Sequence, residues 1–419
     1  MMSKNPNDVR VVVTGIGTIN PIGNTVDEFW DNLAVGKSGI RTIQNVDIED
    51  YNIKIAGEVD LPDIVDYFEQ KKMAKRLDRY VVYAHIAGTQ ALRDSGLDIE
   101  RAPHRYGSLI GSGDGGVGGH LENVTRINTR GMNYTSPFFI VNVIPNTGSG
   151  FFAKSWNLQG PSLAVSSACA TSNHAVGIGS MMIKMGMVDA IFAGGAEAAI
   201  NKSGLSAFGN IFALSERCDS PETASRPFDI DRDGFVLGEG AGVLCLEELE
   251  HAKSRGAHIY CEVTGYGFSC DAYDLVAPHP DARGAAQSIS AAIQFAQLNA
   301  EDIGLINCHG TSTPLGDIAE FRAAQQVFGD YSTKIPVHST KSMIGHSLGA
   351  AGGIEAVAVI MAFERGLVHE TTNQFKQDPE IGFNVVKNGP MERKIDHALS
   401  DGFGFGGQNA ALILSRYKN

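Results

Sequence analysis

Branched apolar residues run without polar alternation through residues 9–14, VRVVVT. Such a run bounded by glycine is the pattern of a strand buried on both faces, so a strand closed at Gly15 is expected here. Beyond it, stretches with apolar residues three and four apart alternate with short apolar runs, the order of an α/β protein. No low-complexity tract or Pro/Ser linker interrupts that alternation.

Two segments repeat one order. Residues 86–111 (IAGTQALRDSGLDIERAPHRYGSLIG) read as apolar helix, turn and a strand ending at glycine, and residues 289–310 (ISAAIQFAQLNAEDIGLINCHG) read the same way. A second pairing sets VDAIFAGGAEA (188–198) against IGLINCHGTST (303–313). Two explanations stay open at this level. Any α/β chain repeats helix–turn–strand units; alternatively, the chain is a duplication of two halves, 1–255 and 256–419, packed as one unit with a site where their strand ends converge.

Composition narrows the class. A hydrophobic content of 43% with 19% charged residues suits a compact enzyme. The 49 glycines gather in GSGDGGVGG (111–119) and GFGFGG (402–407), as close-packed turns near a site do. A formal charge of −13 argues against nucleic-acid binding and makes any acidic partner depend on a local basic patch. No apolar stretch approaches the ~20 residues of a membrane span. The polar start MMSKNPNDVR does not read as a signal peptide, and the six cysteines form no CxxC pair, so a cytoplasmic protein with reduced thiols is expected.

One of those cysteines stands apart. Cys169 follows a short strand pattern at residues 163–165 and precedes a helix rich in small residues. That puts its sulfur at a helix N-terminus, where unpaired N–H groups and the dipole favour a thiolate. Small neighbours (Ser166, Ser167, Ala168, Ala170) leave room for substrate. Cys245, Cys261 and Cys308 lie within apolar strand patterns and read as core.

The segment GPSLAVSSACATSNHAVGIGSMMIKMG resembles the active-site stretch of the β-ketoacyl-[acyl-carrier-protein] synthases. In the same order follow ASRPFDIDRDGFVLGEGAG (224–242), HGTSTPLGD (309–317), STKSMIGHSLGAAGGIEA (339–356) and DGFGFGGQNAALIL (401–414). The opening VVVTGIGTINPIGN and SPFF (136–139) fit too, so the resemblance covers the whole chain; its nearest subgroup is the elongating synthase II of bacterial fatty-acid synthesis. It implies the thiolase-like fold, a duplicated five-layer αβαβα core working as a homodimer, with no cofactor and no metal. It also implies decarboxylative Claisen condensation with acyl- and malonyl-loaded carrier protein as partners.

The same resemblance assigns roles. Cys169 is the nucleophile, and the N–H groups of Cys169 and Phe405 form the oxyanion hole. His309 and His346 offer neutral imidazole N–H groups to the enolate left by decarboxylation. Each lies in a glycine-bounded turn, whereas His174 sits on a helix body and reads as packing. Lys341 organises the histidines, with Glu355 as its acidic partner. Phe208, Phe403 and Phe405 line the acyl pocket and its gate. Lys71, Lys72, Lys75 and Arg76 match the carrier-protein dock, while Asn133 and Tyr134 replace its second basic spot.

Three positions depart from the family pattern. Asp114 stands where long-chain enzymes carry an aliphatic residue, near the floor of the acyl tunnel. Asp274 and Val276 replace His and Thr near the pocket mouth. Asp114 either faces the pocket, favouring shorter or more polar acyl chains, or turns away to cap a neighbouring turn.

Rival readings are weaker. Gly111-x-Gly113-x-x-Gly116 mimics a dinucleotide fingerprint but lacks the later ribose-binding acid, GKS (36–38) lacks the first P-loop glycine, and no Cys/His run has zinc spacing. An initiating synthase would pair its cysteine with His and Asn. A non-catalytic chain-length factor would lack Cys169, although a heterodimer with one remains an alternative. A catalytic ketosynthase of a type II polyketide or aryl-polyene pathway stays open as the second reading.

Overall fold

The computed structural model describes residues 5–418. In chain order its strands are β1 (Val11–Ile19), β2 (Ile40–Thr42), β3 (Ile55–Gly57), β4 (Tyr106–Gly111), β5 (Ser162–Leu163), β6 (Ala190–Glu197) and β7 (Gly240–Glu248). They continue as β8 (Cys261–Cys270), β9 (Leu305–Asn307), β10 (Pro336–His338), β11 (Leu367–Val368), β12 (Asn384–Val385), β13 (Met391–Glu392), β14 (His397–Gly404) and β15 (Gln408–Arg416). β2 with β3 and β11 with β13 form two small ribbons.

The other strands run in the order β12-β10-β9-β14-β15-β8-β1-β7-β6-β4-β5. β1 and β8 join through only two residue pairs, Val12 with Glu262 and Val13 with Cys261, so the sheet is two half-sheets sharing a seam. The halves repeat each other. β5, β4 and β6 are parallel and followed by antiparallel β7 and β1; β10, β9 and β14 are parallel and followed by antiparallel β15 and β8. Helix Arg79–Ser95 packs on β1 as helix Arg283–Phe295 packs on β8, forming the outer layers. Helices Thr171–Lys184 and Ala351–Arg365 touch each other and both half-sheets, so they form the middle layer of the αβαβα stack. The latter is buried along nearly its whole length; each of Ile354, Val357, Ile360 and Phe363 contributes about 1.5–3 kcal/mol by leaving water.

Three expectations need correction. β1 starts at Val11 and runs through Gly15 to Ile19 instead of closing there. A Cβ at Gly15 would lie 2.2 Å from the Ala91 carbonyl, and one at Gly17 2.1 Å from that of Ala87. These glycines let a helix lie directly on the strand; they do not mark a turn. The strand before Cys169 is Ser162–Leu163, displaced from residues 163–165 because the chain leaves the sheet toward an elbow. The pairing of residues 86–111 with 289–310 matches the duplicated order, but β6 occupies the place of β14, not of β9. An apolar run followed by glycine carries no record of which strands flank it.

Among the described residues, no helix is long and apolar enough to cross a membrane.

Candidate active site

The catalytic candidates come from both halves and meet beyond the ends of the parallel strands, where such sheets place their sites. Cys169 follows β5, just before helix Thr171–Lys184. His309 follows β9; Lys341 and His346 follow β10, and Phe405 follows β14. Beside each of the three principal side chains the backbone is left-handed without glycine: Ala168 (φ 49°), Ser312 (φ 69°) and Leu348 (φ 45°). Such residues cost about 1–3 kcal/mol each and persist only where packing fixes the turn. Around Cys169 the elbow is held by the Thr171 hydroxyl, which accepts from Ser167 N at 2.8 Å. His174 joins it: Nδ1 lies 2.9 Å from Ser167 Oγ, and the ring packs on Phe268 at 4.6 Å.

His346 Nε2 lies 3.0 Å from Cys169 Sγ. The rings of His309 and His346 are 5.2 Å apart and nearly perpendicular. Phe235 meets the edge of His346 at 5.3 Å, and Phe403 lies 5.8 Å from His309. Lys341 and Glu355 form an ion pair, each 1% exposed, and Asn307 Nδ2 donates to the second Glu355 oxygen at 3.4 Å.

Charge in this corner is tightly controlled. Burial holds both imidazoles well below their ordinary pKa, and the Lys341 cation pushes the same way, so both are neutral. The helix terminus favours a thiolate at Cys169, and desolvation opposes it. Burial pushes the Cys169 thiol up to about 12, outweighing Lys341 and the Phe405 N–H, which both act downward. The sulfur therefore rests as a thiol with His346 Nε2 as its nearest proton partner. The Phe405 loop reaches the nucleophile because Gly404 has no side chain: a Cβ there would lie 3.1 Å from Cys169 N.

Two carboxyl groups beneath His309 escaped the sequence reading. His309 N donates to Glu320 Oε1 and to Asp401 Oδ1, both at 2.7 Å, and Gly310 N donates to Glu320 Oε2 at 2.8 Å. Burial raises both acids, Glu320 well above its ordinary range and Asp401 to about 7, so the pair shares a proton. Asp401 opens the DGFGFGG motif, which was the available signal; Glu320 lies on helix Pro314–Phe328 with no local mark.

The site opens into a cavity of about 560 Å³ lined by Cys169, His309, His346, Phe208, Phe403, Phe405 and Asp114. Phe208 stands 6.1 Å from Phe405 and 5.6 Å from Phe235. The Asp114 carboxyl makes no hydrogen bond among the described residues and caps no neighbouring turn; burial raises its pKa. Behind it Glu197 accepts from Ser112 Oγ (2.7 Å), Gly113 N (2.8 Å), Gly349 N (3.0 Å) and Asp114 N (3.2 Å). Burial and then the Asp114 charge lift Glu197 to about 8. Thus the Gly111-x-Gly113-x-x-Gly116 segment contributes Gly113 and Asp114 to the pocket wall. Val276 also lines the cavity, but Asp274 turns away and caps its own loop, accepting from Val276 N at 2.8 Å and Ala277 N at 2.9 Å.

Lys71, Lys72, Lys75 and Arg76 are exposed and outside this cavity. Lys75 and Arg76 line a separate groove with Arg126 and Lys202, two cations the sequence gave no reason to group with them. Arg76 stacks over Phe138 at 5.5 Å.

Comparison with known proteins agrees with this architecture. The family "Beta-ketoacyl synthase, N-terminal domain" matches residues 8–252, and "Beta-ketoacyl synthase, C-terminal domain" matches residues 260–375. The 3-oxoacyl-[acyl-carrier-protein] synthase 2 of Vibrio cholerae is 43% identical over 412 residues, covering 97% of this chain and 99% of the relative. The structure of the ishigamide ketosynthase/chain length factor superposes with a TM-score of 0.91 at 33% identity, covering 98% of this chain and 100% of that one. A type II PKS acyl-carrier protein in complex with its ketosynthase bound to the hexaketide, AntDE:AntF, gives 0.91 at 31%, with the same coverage. With the two family domains together matching most of its length, and its cysteine and two histidines meeting where the half-sheets join, the chain belongs to the β-ketoacyl synthase family.

Proposed function

We propose that this protein is a cytoplasmic β-ketoacyl-[acyl-carrier-protein] synthase that elongates acyl chains by decarboxylative Claisen condensation, and that it works as a homodimer. The observation that carries the reading is the 3.0 Å contact between Cys169 Sγ and His346 Nε2, with a second neutral imidazole, His309, beside it. As an acyl thioester enters, the S–H bond breaks, the sulfur attacks the carbonyl, and the thiol proton leaves on the carrier thiol, with His346 Nε2–H beside the sulfur. The N–H groups of Cys169 and Phe405 hold the oxyanion. Malonyl-carrier protein then loses CO2. The enolate oxygen is met by the N–H groups of His309 and His346, which are neutral and so donate without surrendering charge. The carbanion attacks the acyl-cysteine, the C–S bond breaks to free the β-ketoacyl product, and the sulfur recovers its proton from solvent. Burial, with the Lys341 charge held by Glu355 acting the same way, keeps both imidazoles neutral.

We further infer that the chain divides into halves 1–255 and 256–419, with the nucleophile in the first and both histidines in the second. The carrier protein, acidic by chemistry, docks on Lys71, Lys72, Lys75 and Arg76, a basic patch on a chain of formal charge −13.

A second reading, a ketosynthase of a type II polyketide or aryl-polyene pathway paired with a chain-length factor, draws on one observation: Asp114 puts a carboxyl on the acyl wall. A carboxyl there suits short or polar acyl chains better than long saturated ones. The test is incubation of purified protein with acyl- and malonyl-carrier protein and mass spectrometry of the carrier-bound products. A product two carbons longer, with one CO2 per turnover, supports condensation. Saturated C16–C18 products favour fatty-acid elongation, and a stop at short chains favours the second reading. No product with any acyl carrier overturns both.

A further inference from the structure

We propose that Cys169, His309 and His346 form a binding site for a thiophilic divalent cation, Zn2+ by preference, and that metal bound there switches the enzyme off by occupying its nucleophile. One ligand atom from each residue lies within 4.8 Å of the others, the one such cluster of three among the described residues. Zn–S bonds of about 2.3 Å and Zn–N bonds of about 2.0–2.1 Å put tetrahedral ligands roughly 3.4–3.6 Å apart. The Sγ–Nε2 separation of 3.0 Å therefore has to open by about half an ångström, and pairs involving His309, within 4.8 Å, have to close by up to about 1.3 Å. Local spacing rules miss this set because its members come from three separate segments.

The chemistry of the donors agrees. Burial keeps both imidazoles in the neutral form that binds metal. One thiolate with two imidazoles prefers zinc over magnesium or calcium, which take oxygen. The fourth position faces the cavity, open to water. The thiol must lose its proton: the S–H bond breaks, the Zn–S bond forms, the proton goes to solvent, and nothing is oxidised. Two features make the site inhibitory, not resident. The Lys341 charge opposes a cation, offset only in part by Glu355. His346 Nδ1 is buried with no hydrogen-bond partner, so the outer-shell acceptor that usually anchors a zinc-bound histidine is missing.

The test uses the full chain, freed of metal by chelator and titrated with zinc chloride in a calorimeter in two buffers of different ionisation enthalpy. The expected result is one zinc per chain with close to one proton released, no binding of magnesium, and loss of activity that EDTA reverses. Cys169→Ser should weaken binding by roughly 10- to 100-fold or more. The double variant Cys218→Ser/Cys270→Ser, which removes the two thiols that are not buried, should bind as the parent does. Wild type acylated at Cys169 provides a second arm that does not depend on a variant folding; it should bind no zinc. Unchanged affinity in Cys169→Ser or in the acylated enzyme, or loss of binding in the double variant, overturns the proposal. The binding arm needs no carrier substrate, so its failure would leave the condensation reading untouched.

Discussion

At the histidine end of the cavity, Lys341 is paired with Glu355 and both imidazoles are uncharged; at the Asp114 end, two carboxyls crowd a small volume with no ion pair to either among the described residues. The first arrangement suits a reaction whose negative charge moves through sulfur, enolate and oxyanion, because fixed neutral donors respond without reorganising. The second is costly unless a proton is shared, and Glu197, with four donors aimed at it, is lifted to about 8 nonetheless. The chemistry thus resides where charge is balanced, and choice of acyl chain where it is not.

The sharpest break at the balanced end is Cys169→Ala. Condensation should fall by about a thousandfold or more, since no other described thiol lies at such an elbow. Malonyl decarboxylation should persist or rise, because His309 and His346 remain. Paired rate measurements check this, and condensation at the wild-type rate would remove the mechanism.

Next comes the ion pair. Lys341→Met strands the Glu355 carboxylate and should cost about 3–5 kcal/mol of stability in denaturant melts. The double variant Lys341→Met/Glu355→Gln should recover most of that, while both remain poor condensing enzymes.

At the unbalanced end, Asp114→Ile should extend products toward C16–C18 on mass spectrometry. If wild type already makes those lengths and the variant matches it, Asp114 does not set specificity. The same pair has a pH signature. Carboxyls raised in the folded state stabilise it at low pH and lose that contribution as pH rises, for Glu197 between about 4.5 and about 8. Asp114→Asn removes the charge that helps lift Glu197, so its Tm advantage over wild type should grow across that window to a few degrees. A constant difference would show that the two carboxyls are uncoupled.

The smallest effect lies outside the cavity. Lys75→Glu with Arg76→Glu should raise KM for carrier-bound substrate several-fold and spare slow transfer from acyl-CoA, a contrast that steady-state kinetics with both donors would read. Equal losses with the two donors would take the dock elsewhere.

The legibility of the sequence follows a physical divide. Cys169, His309, His346, Lys341 and Phe405 are legible because each sits in a short motif that carries the resemblance to the family, and the structure brings them together in one cavity or beside it. Duplication was visible in residues 86–111 and 289–310 because a helix–turn–strand unit is local. Glu320 was not, since its meaning comes from accepting His309 N and Gly310 N across a turn. Helix position is readable in the sequence, whereas the desolvation that opposes a Cys169 thiolate belongs to the assembled core. Gly15 reads as a strand end because sequence alone does not separate a turning glycine from one that admits a helix.

The account's central claim is that Cys169 alone carries the acyl chain between two neutral histidines. Incubating the protein with acyl-carrier protein and no malonyl donor, then digesting and mapping the acylated peptide by mass spectrometry, tests it most directly. The account predicts one acyl group per chain, on Cys169, released as β-ketoacyl product when malonyl-carrier protein is added. Acylation at Cys218 or Cys270, or an acyl-cysteine that malonyl-carrier protein does not discharge, would contradict it.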